Sequence, residues 1–355
     1  MGNAECGMWF GSFRIPNSEF RITPMSSLPR VMVLMGGPSA EHAISLKSGH
    51  GVVEALTRRG CVVSPVTVPQ DVTTDEAIQF VRISVPRENP DVVFLALHGA
   101  FGEDGTVQQL CEELGVAYTG SDPAASRLGM DKIASRRRFE RAGLRTPAWR
   151  VVDPAAGENP QRALGTQRVP VVVKPANQGS SIGVTIVQDA GQIGGAIREA
   201  ARYDTRVLIE EFIQGREVTV GIVAERPLPV VEIQAHRPFF DYAAKYTPGQ
   251  TTYLVPSTLP ARTARRAQHT ALLAHRALGC RDFSRVDLII DRRNRPVVLE
   301  VNTIPGLTPT SLLPKAAGCL GLSYDDLCER LTSMALDRAV RAEAIHDSLG
   351  VSTLR

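Results

Sequence analysis

The run Asp91-Val-Val-Phe-Leu-Ala-Leu97 constrains the fold most, because it reads as a strand that is apolar on both faces. A strand with one wet face alternates polar and apolar residues, whereas a parallel-sheet strand covered by helices on both sides does not. An earlier apolar run, Val31-Met-Val-Leu-Met35, stops at Gly36-Gly37-Pro38. Ser39 then stands as a helix N-cap, and Ile44, Val52, Val53 and Leu56 predict a helix ending at Gly60. Cys61 to Val68 reads as a second strand. Strands alternating with helices predict an open, mainly parallel α/β sheet. Ligands in such sheets gather beyond the carboxyl ends of the strands, which marks the loops Gly36 to Glu41 and His98 to Gly105 by position.

The texture then changes. A helix-rich stretch runs from Asp122 to Ala142, and Val169 to Lys174 reads as a strand. Asn177-Gln-Gly-Ser-Ser-Ile-Gly183 is a flexible flap leading to another strand at Val184 to Val187. A helix over 189–202 and a strand at Val207 to Ile213 complete this unit. Strands follow near 216–224, 228–234, 284–290 and 296–301, with helices near 261–278 and 323–341. Residues 236–257 form a long loop of the kind that serves as a lid. Residues 1–29 show no periodicity and are expected to form a mobile leader, with Met25 as an alternative start. Arg14, Glu19 and Arg21 interrupt any apolar region there and argue against a secretory signal.

Chemistry concentrates near the C-terminal strands. Alternation puts Arg285 and Asp287 on one face of a strand, and Glu300 and Asn302 on one face of the next. The short Asp291-Arg-Arg-Asn-Arg295 turn makes the two strands an antiparallel pair. The gathered oxygens suit Mg²⁺, which takes carboxylates together with substrate phosphates, and Arg285 would absorb transition-state charge. The same four residues, taken alone, also fit an ordinary cross-strand charge ladder. Lys174 ends a strand facing the flap, whose backbone N–H groups could cradle phosphate, and Lys132 offers a second cationic contact. Each lysine also fits a solvated surface. His98, Glu41, and the Lys245–Tyr246 pair of the long loop carry little meaning singly.

Several classes are excluded. A formal net charge of +3, spread along the chain, gives no nucleic-acid footprint. Arg136-Arg137-Arg138 reads as a solvated helix face. Six scattered cysteines without a C-x-x-C pair suit a reducing, cytoplasmic setting rather than a zinc or disulfide framework. No run approaches the ~20 apolar residues of a membrane span. Neither G-x-x-x-x-G-K-[ST] nor G-x-G-x-x-G occurs, which argues against Walker-type NTPases and dinucleotide oxidoreductases.

Taken together, the motifs resemble the D-alanine–D-alanine ligase family of the ATP-grasp superfamily across residues 30–341. The match is carried by Gly36-Gly37-Pro-Ser-Ala-Glu41 with Ser45-Leu-Lys-Ser-Gly49, Ala96-Leu-His98-Gly, Gly102-Glu-Asp-Gly-Thr106 and Tyr118-Thr-Gly-Ser121. It continues through Met130-Asp-Lys132, Val173-Lys-Pro175, Gly179-Ser-Ser-Ile-Gly183, Asp241-Tyr-Ala-Ala-Lys-Tyr246, Arg285-Val-Asp287 and Glu300-Val-Asn-Thr-Ile-Pro-Gly-Leu-Thr308. The resemblance implies an ATP-grasp fold, α+β in its ATP-binding part. It would have an N-terminal α/β domain at 30–121, a central domain at 122–214, and a C-terminal domain at 215–345 carrying the lid.

It also implies ATP as co-substrate with two Mg²⁺ (or Mn²⁺), D-alanine as substrate, a role in peptidoglycan precursor synthesis, and commonly a homodimer. Lys132, Lys174 and Lys245 would contact ATP, with Glu210 and Glu217 on adenine and ribose. Asp287, Glu300 and Asn302 would hold the metal ions, and Arg285 with the Gly306 N–H would stabilise a tetrahedral oxyanion. Glu41 would take the first D-alanine's ammonium and Ser311 the second one's carboxylate, with His98 in the substrate site. Ser180 and Tyr246 would link with Glu41 to close the lid. Retention of Tyr246 favours an amine acceptor. The alternatives are a same-fold ligase using D-lactate or D-serine, or a non-catalytic nucleotide-binding module.

Overall fold

A computed structural model describes residues 28–156, 162–235 and 251–348. The leader as far as residue 27 and most of the expected lid, including Lys245 and Tyr246, lie outside the described residues.

The first sheet joins β1 (Arg30–Gly36), β2 (Val62–Val68), β3 (Val92–Leu95) and β4 (Ala117–Tyr118) in the order β2-β1-β3-β4, all parallel. Helices α1 (His42–Arg58), α2 (Thr74–Glu88) and α3 (Thr106–Glu113) connect the strands. The unbroken apolar runs have the expected cause. Val31, Val33 and Met35 point into a core shared with α1, while Met32 and Leu34 point into one shared with Val81 and Val85 of α2. Each fully buried aliphatic side chain of this kind stabilises by about 1.5–3 kcal/mol. The C-terminal helix, Tyr324–Ser348, brings Leu327 and Leu331 to the first of these cores. Arg58 clamps the same helix through paired contacts to Asp325 at 2.8 Å.

The start of α1 differs from expectation. Glu41, not Ser39, occupies the N-cap position. Ser39 Oγ instead donates to His98 O at 2.7 Å and accepts from Glu41 N at 3.2 Å, tying the chain to the end of β3. The turn before it needs glycine: Gly36 has φ +85°, and a Cβ there would lie 2.5 Å from Val68 O.

The other two sheets are antiparallel. Strands β5 (Trp149–Val152), β6 (Val171–Pro175), β7 (Thr185–Val187) and β8 (Val207–Glu211) pair in the order β5-β8-β6-β7. They are preceded by α4 (Pro123–Met130) and α5 (Lys132–Arg141) and backed by α6 (Ile193–Ala200). That last helix is shorter than 189–202, because Asp189 accepts from Gly191 N and opens with a 3-10 turn at Ala190–Gln192. The last sheet has β9 (Gly215–Val223), β11 (Val231–Ala235), β12 (Thr251–Leu254), β13 (Phe283–Asp291) and β14 (Pro296–Asn302) in the order β12-β11-β9-β13-β14, with β10 (Arg226–Pro227) pairing β9. The end of the expected loop is therefore strand, consistent with the β-favouring sequence Thr251-Thr-Tyr-Leu254.

Alternation divides the last sheet. Val218, Val220, Val286 and Leu288 pack on α7 (Ala261–Ala277), which leaves Glu217, Thr219, Arg285 and Asp287 on the opposite face. A further short helix, α8 (Leu312–Gly318), follows the Pro305–Ser311 loop, and the C-terminal helix is α9.

Candidate active site

The antiparallel register sets Arg285 opposite Asn302 and Asp287 opposite Glu300. Arg285 Nε and Nη2 each donate to Asp287 at 2.9 Å, a bidentate pair. Thr219 Oγ1 donates to the same carboxylate at 2.6 Å and Asn302 Nδ2 at 3.2 Å. The sequence reading of these four residues as one platform is thus realised in geometry. Two carboxylates and an amide on one face match a hard cation's preference for oxygen, the amide presenting oxygen as readily as nitrogen when it flips. Among the described residues no three His, Cys, Asp or Glu side chains gather for a metal. Mg²⁺ is commonly bound by one or two carboxylates completed by substrate phosphates, and Asp287 and Glu300 supply that number.

Two cavities meet at this platform. One, of 770 Å³, is lined by Lys132, Lys174, Glu210, Glu217, Asp287 and Glu300. The other, of 560 Å³, is lined by Glu41, His98, Glu103, Arg285, Gly306 and Ser311. Gly179, Ile233, Asp287 and Glu300 line both. The structure thus brings together every described residue proposed from the sequence.

In the larger cavity, Lys174 Nζ lies 2.7 Å from Glu210 Oε2, and Lys132 Nζ donates to Gln178 O of the flap at 2.5 Å while standing 3.7 Å from Glu300. Burial lowers the pKa of Lys174, opposed by Glu210. Burial also works against Glu210's charge, but Arg136 and then Lys174 more than offset it and hold its pKa below the usual range. Arg136 itself departs from the solvated face expected for it. Arg137 and Arg138 are exposed, but Arg136 is only 1% exposed, since it lies between Ile133 and Phe139 at helical spacing on the buried side of α5.

In the smaller cavity, Ser180 on the flap donates to Glu41 Oε1, joining segments far apart in sequence. Ser180 and Ser181 both have positive φ, 49° and 59°. His98 is buried, and burial depresses its pKa despite the opposing charge of Glu41. A neutral ring that donates from Nδ1 to Ile304 O at 3.2 Å must accept at Nε2 from Ser48 Oγ, 2.9 Å away. His98 therefore anchors the loop that carries Gly306. Ser311 stands at the N-cap of α8, its Oγ accepting from Thr308 N at 3.1 Å.

Glu103 was missed by the sequence reading as an individual residue, although the motif containing it was recognised. Its Oε2 accepts from Gly99 N at 3.1 Å. Burial first, and the nearby charge of Glu41 second, push its carboxyl well above the usual carboxylate range. Its position beside Glu41 depends on loop packing that no local spacing reports.

Residues 139–333 match the family model described as D-ala D-ala ligase C-terminus, and residues 70–121 match D-ala D-ala ligase N-terminus. A D-alanine–D-alanine ligase of Syntrophotalea carbinolica is 44% identical over 307 residues, covering 86% of this chain and 96% of that protein. The crystal structure of a D-alanine–D-alanine ligase from Bacillus anthracis complexed with ATP superposes with a TM-score of 0.75 at 31% identity, covering 88% of this chain and 99% of that one. The VanG D-Ala:D-Ser ligase of Enterococcus faecalis gives the same TM-score at 29% identity, over 87% of this chain and all of that one. Matches of this extent, on a chain whose platform and flap meet as described, place it in the D-alanine–D-alanine ligase family.

Proposed function

We propose that the chain is an ATP- and Mg²⁺-dependent ligase that joins two D-alanines into D-alanyl-D-alanine for peptidoglycan precursors, with 30–121, 122–214 and 215–345 as its three domains. The observation that carries this reading is the meeting of two cavities at Asp287 and Glu300. A nucleotide in the larger cavity would present its terminal phosphate to a carboxylate in the smaller one, as a phosphoryl transfer requires. The relatives and the ATP complex of a structural neighbour support the same assignment.

Lys132 and Lys174 bind the nucleotide phosphates, with Glu210 and Glu217 facing base and ribose. Asp287, Glu300 and Asn302 would hold Mg²⁺, which would neutralise phosphate charge. Glu41 orients the first D-alanine through its ammonium, so that its carboxylate oxygen attacks the terminal phosphorus and ADP leaves. A carboxylate is a poor electrophile, and the resulting acyl phosphate has a leaving group. The amine of the second D-alanine, its carboxylate on Ser311, attacks the acyl carbon. Arg285 and the Gly306 N–H stabilise the oxyanion that forms, and phosphate departs as it collapses. The flap excludes water from the acyl phosphate, with Ser180 closing on Glu41.

The test is purified protein with ATP, Mg²⁺ and D-alanine alone, followed by identification of the product. D-Alanyl-D-alanine and phosphate are expected in equal amounts, with loss of both when EDTA removes the metal. Turnover only when D-serine or D-lactate is added would overturn the choice of acceptor. Asp287→Ala turning over like the parent would overturn the site itself.

A further inference from the structure

We infer that Arg136 is a positioning residue for nucleotide binding. It holds Glu210 as a fixed, ionised acceptor so that Lys174 can leave Glu210 for a phosphate. The inference rests on the reading of the larger cavity as the nucleotide site.

Arg136 reaches in two directions. Its Nε donates to Glu210 Oε1 at 2.8 Å, with Nη2 at 2.6 Å from the same oxygen. Its Nη1 donates to Val298 O at 3.3 Å and to Leu299 O. The second pair of contacts sits at an irregularity in the β13–β14 ladder. Asp287 pairs with Glu300 but Leu288 pairs with Val298, so Leu299 is the extra residue of a β-bulge. Bulges interrupt the ladder and re-aim neighbouring side chains. Here the neighbour is Glu300, and Arg136 supplies the donor for backbone carbonyls at the interruption.

The charges explain why a second cation is needed on Glu210. Arg136 and Lys174 both meet the one Glu210 carboxylate, in a cavity whose wall also carries Glu217, Glu232, Asp287 and Glu300. Lys132 and Lys174 both stand at the cavity wall where a phosphate can meet them, and Lys174 is the one paired with Glu210. Moving Lys174 vacates Glu210 Oε2, which can then accept a hydrogen bond from an exocyclic amino group such as that of adenine. A guanine would turn a carbonyl oxygen toward the same carboxylate. Glu210 is only 2% exposed, and a buried carboxylate stripped of both cations is strongly disfavoured. With Arg136 in place, the carboxylate stays paired throughout. Without it, Lys174 is held on Glu210 and withheld from the phosphate.

The experiment is steady-state kinetics of the whole enzyme with ATP and with D-alanine varied separately. The variants are Arg136→Met, Arg136→Lys, Glu210→Gln and the Arg136→Met/Glu210→Gln double. Losing hydrogen bonds to a charged partner implies a rise in KM for ATP of roughly 10–100-fold in Arg136→Met, with KM for D-alanine little changed. Arg136→Lys keeps the charge but reaches only one of its two targets, so its rise is smaller yet measurable. Discrimination of ATP over GTP falls in both. In the Glu210→Gln background the Arg136→Met change adds little, because the charge it served is gone.

A Glu210→Gln enzyme with parent-like ATP kinetics would defeat the nucleotide reading itself. An impaired Glu210→Gln alongside a parent-like Arg136→Met would leave that reading standing and defeat the role of Arg136. Loss of stability and kcat with both KM values unmoved would also overturn it, as a purely structural residue behaves that way. Should Arg136→Met fail to fold, Arg136→Lys decides, and an unchanged KM for ATP there refutes the proposal.

Discussion

Replacing Ser180 by alanine removes the hydroxyl that reaches from the flap to Glu41. A hydrogen bond to a charged group contributes about 1.5–3 kcal/mol, so its loss lowers the equilibrium for flap closure by roughly 10–150-fold. The backbone sharpens the test. Ser180 has φ 49° and Ser181 φ 59°, left-handed conformations that cost a non-glycine residue about 1–2 kcal/mol each. The closed flap is therefore held against a local preference to open, and the contact to Glu41 opposes that preference. Ser180→Gly loses the same hydrogen bond but sheds the left-handed cost, against about 0.4–1 kcal/mol of added chain entropy. It should fall between parent and alanine variant. The assay measures phosphate and dipeptide in the same reaction across a range of D-alanine concentrations. The parent should release one phosphate per dipeptide. Ser180→Ala should show a KM for D-alanine at least about tenfold higher, by the closure estimate above, and excess phosphate from acyl phosphate lost to water. An alanine variant with parent-like KM and matched stoichiometry would refute the view that this contact closes the flap.

Two further outcomes follow from the loop after β3. Because the folded-state pKa of Glu103 is raised, its contribution to stability is fully present below the unfolded value of about 4.3 and is lost as pH rises toward the folded value. Glu103→Gln should therefore remove a downward slope in stability above that pH, and denaturant melts with parallel pH profiles for the two proteins would contradict this. Gly102→Ala would put a Cβ 2.5 Å from Leu97 Cβ and 2.9 Å from its carbonyl carbon. Backbone cannot yield there as a flexible side chain would, so about 1–3 kcal/mol of stability should be lost by denaturant titration.

The platform was legible because it obeys local rules. A period of two put Arg285 with Asp287 and Glu300 with Asn302, and the tight Asp291–Arg295 turn made the strands an antiparallel pair. The register of that turn alone would set Asp287 opposite Leu299, and the bulge at Leu299 is what brings Asp287 opposite Glu300. The parallel sheet was legible for a related reason: Val31 to Met35 alternate between two cores, so neither set of positions is polar. What local spacing could not supply was the company each residue keeps. Glu103 acquires its raised pKa from burial first and then from the charge of Glu41 in another segment, and Ser39 is drawn from its capping role by the carbonyl of His98. Arg136 is different, because the signal was present and composition obscured it. Three consecutive arginines suggested a wet face, yet Ile133, Arg136 and Phe139 fall at helical spacing on the buried side. A cation on an apolar helix face is a local rule broken, and burying it requires a fixed anion and fixed carbonyls to receive it. Those receivers are Glu210 and the bulge beside Glu300. The conflict in the helix pattern is resolved by the contacts that Arg136 makes beside the larger cavity.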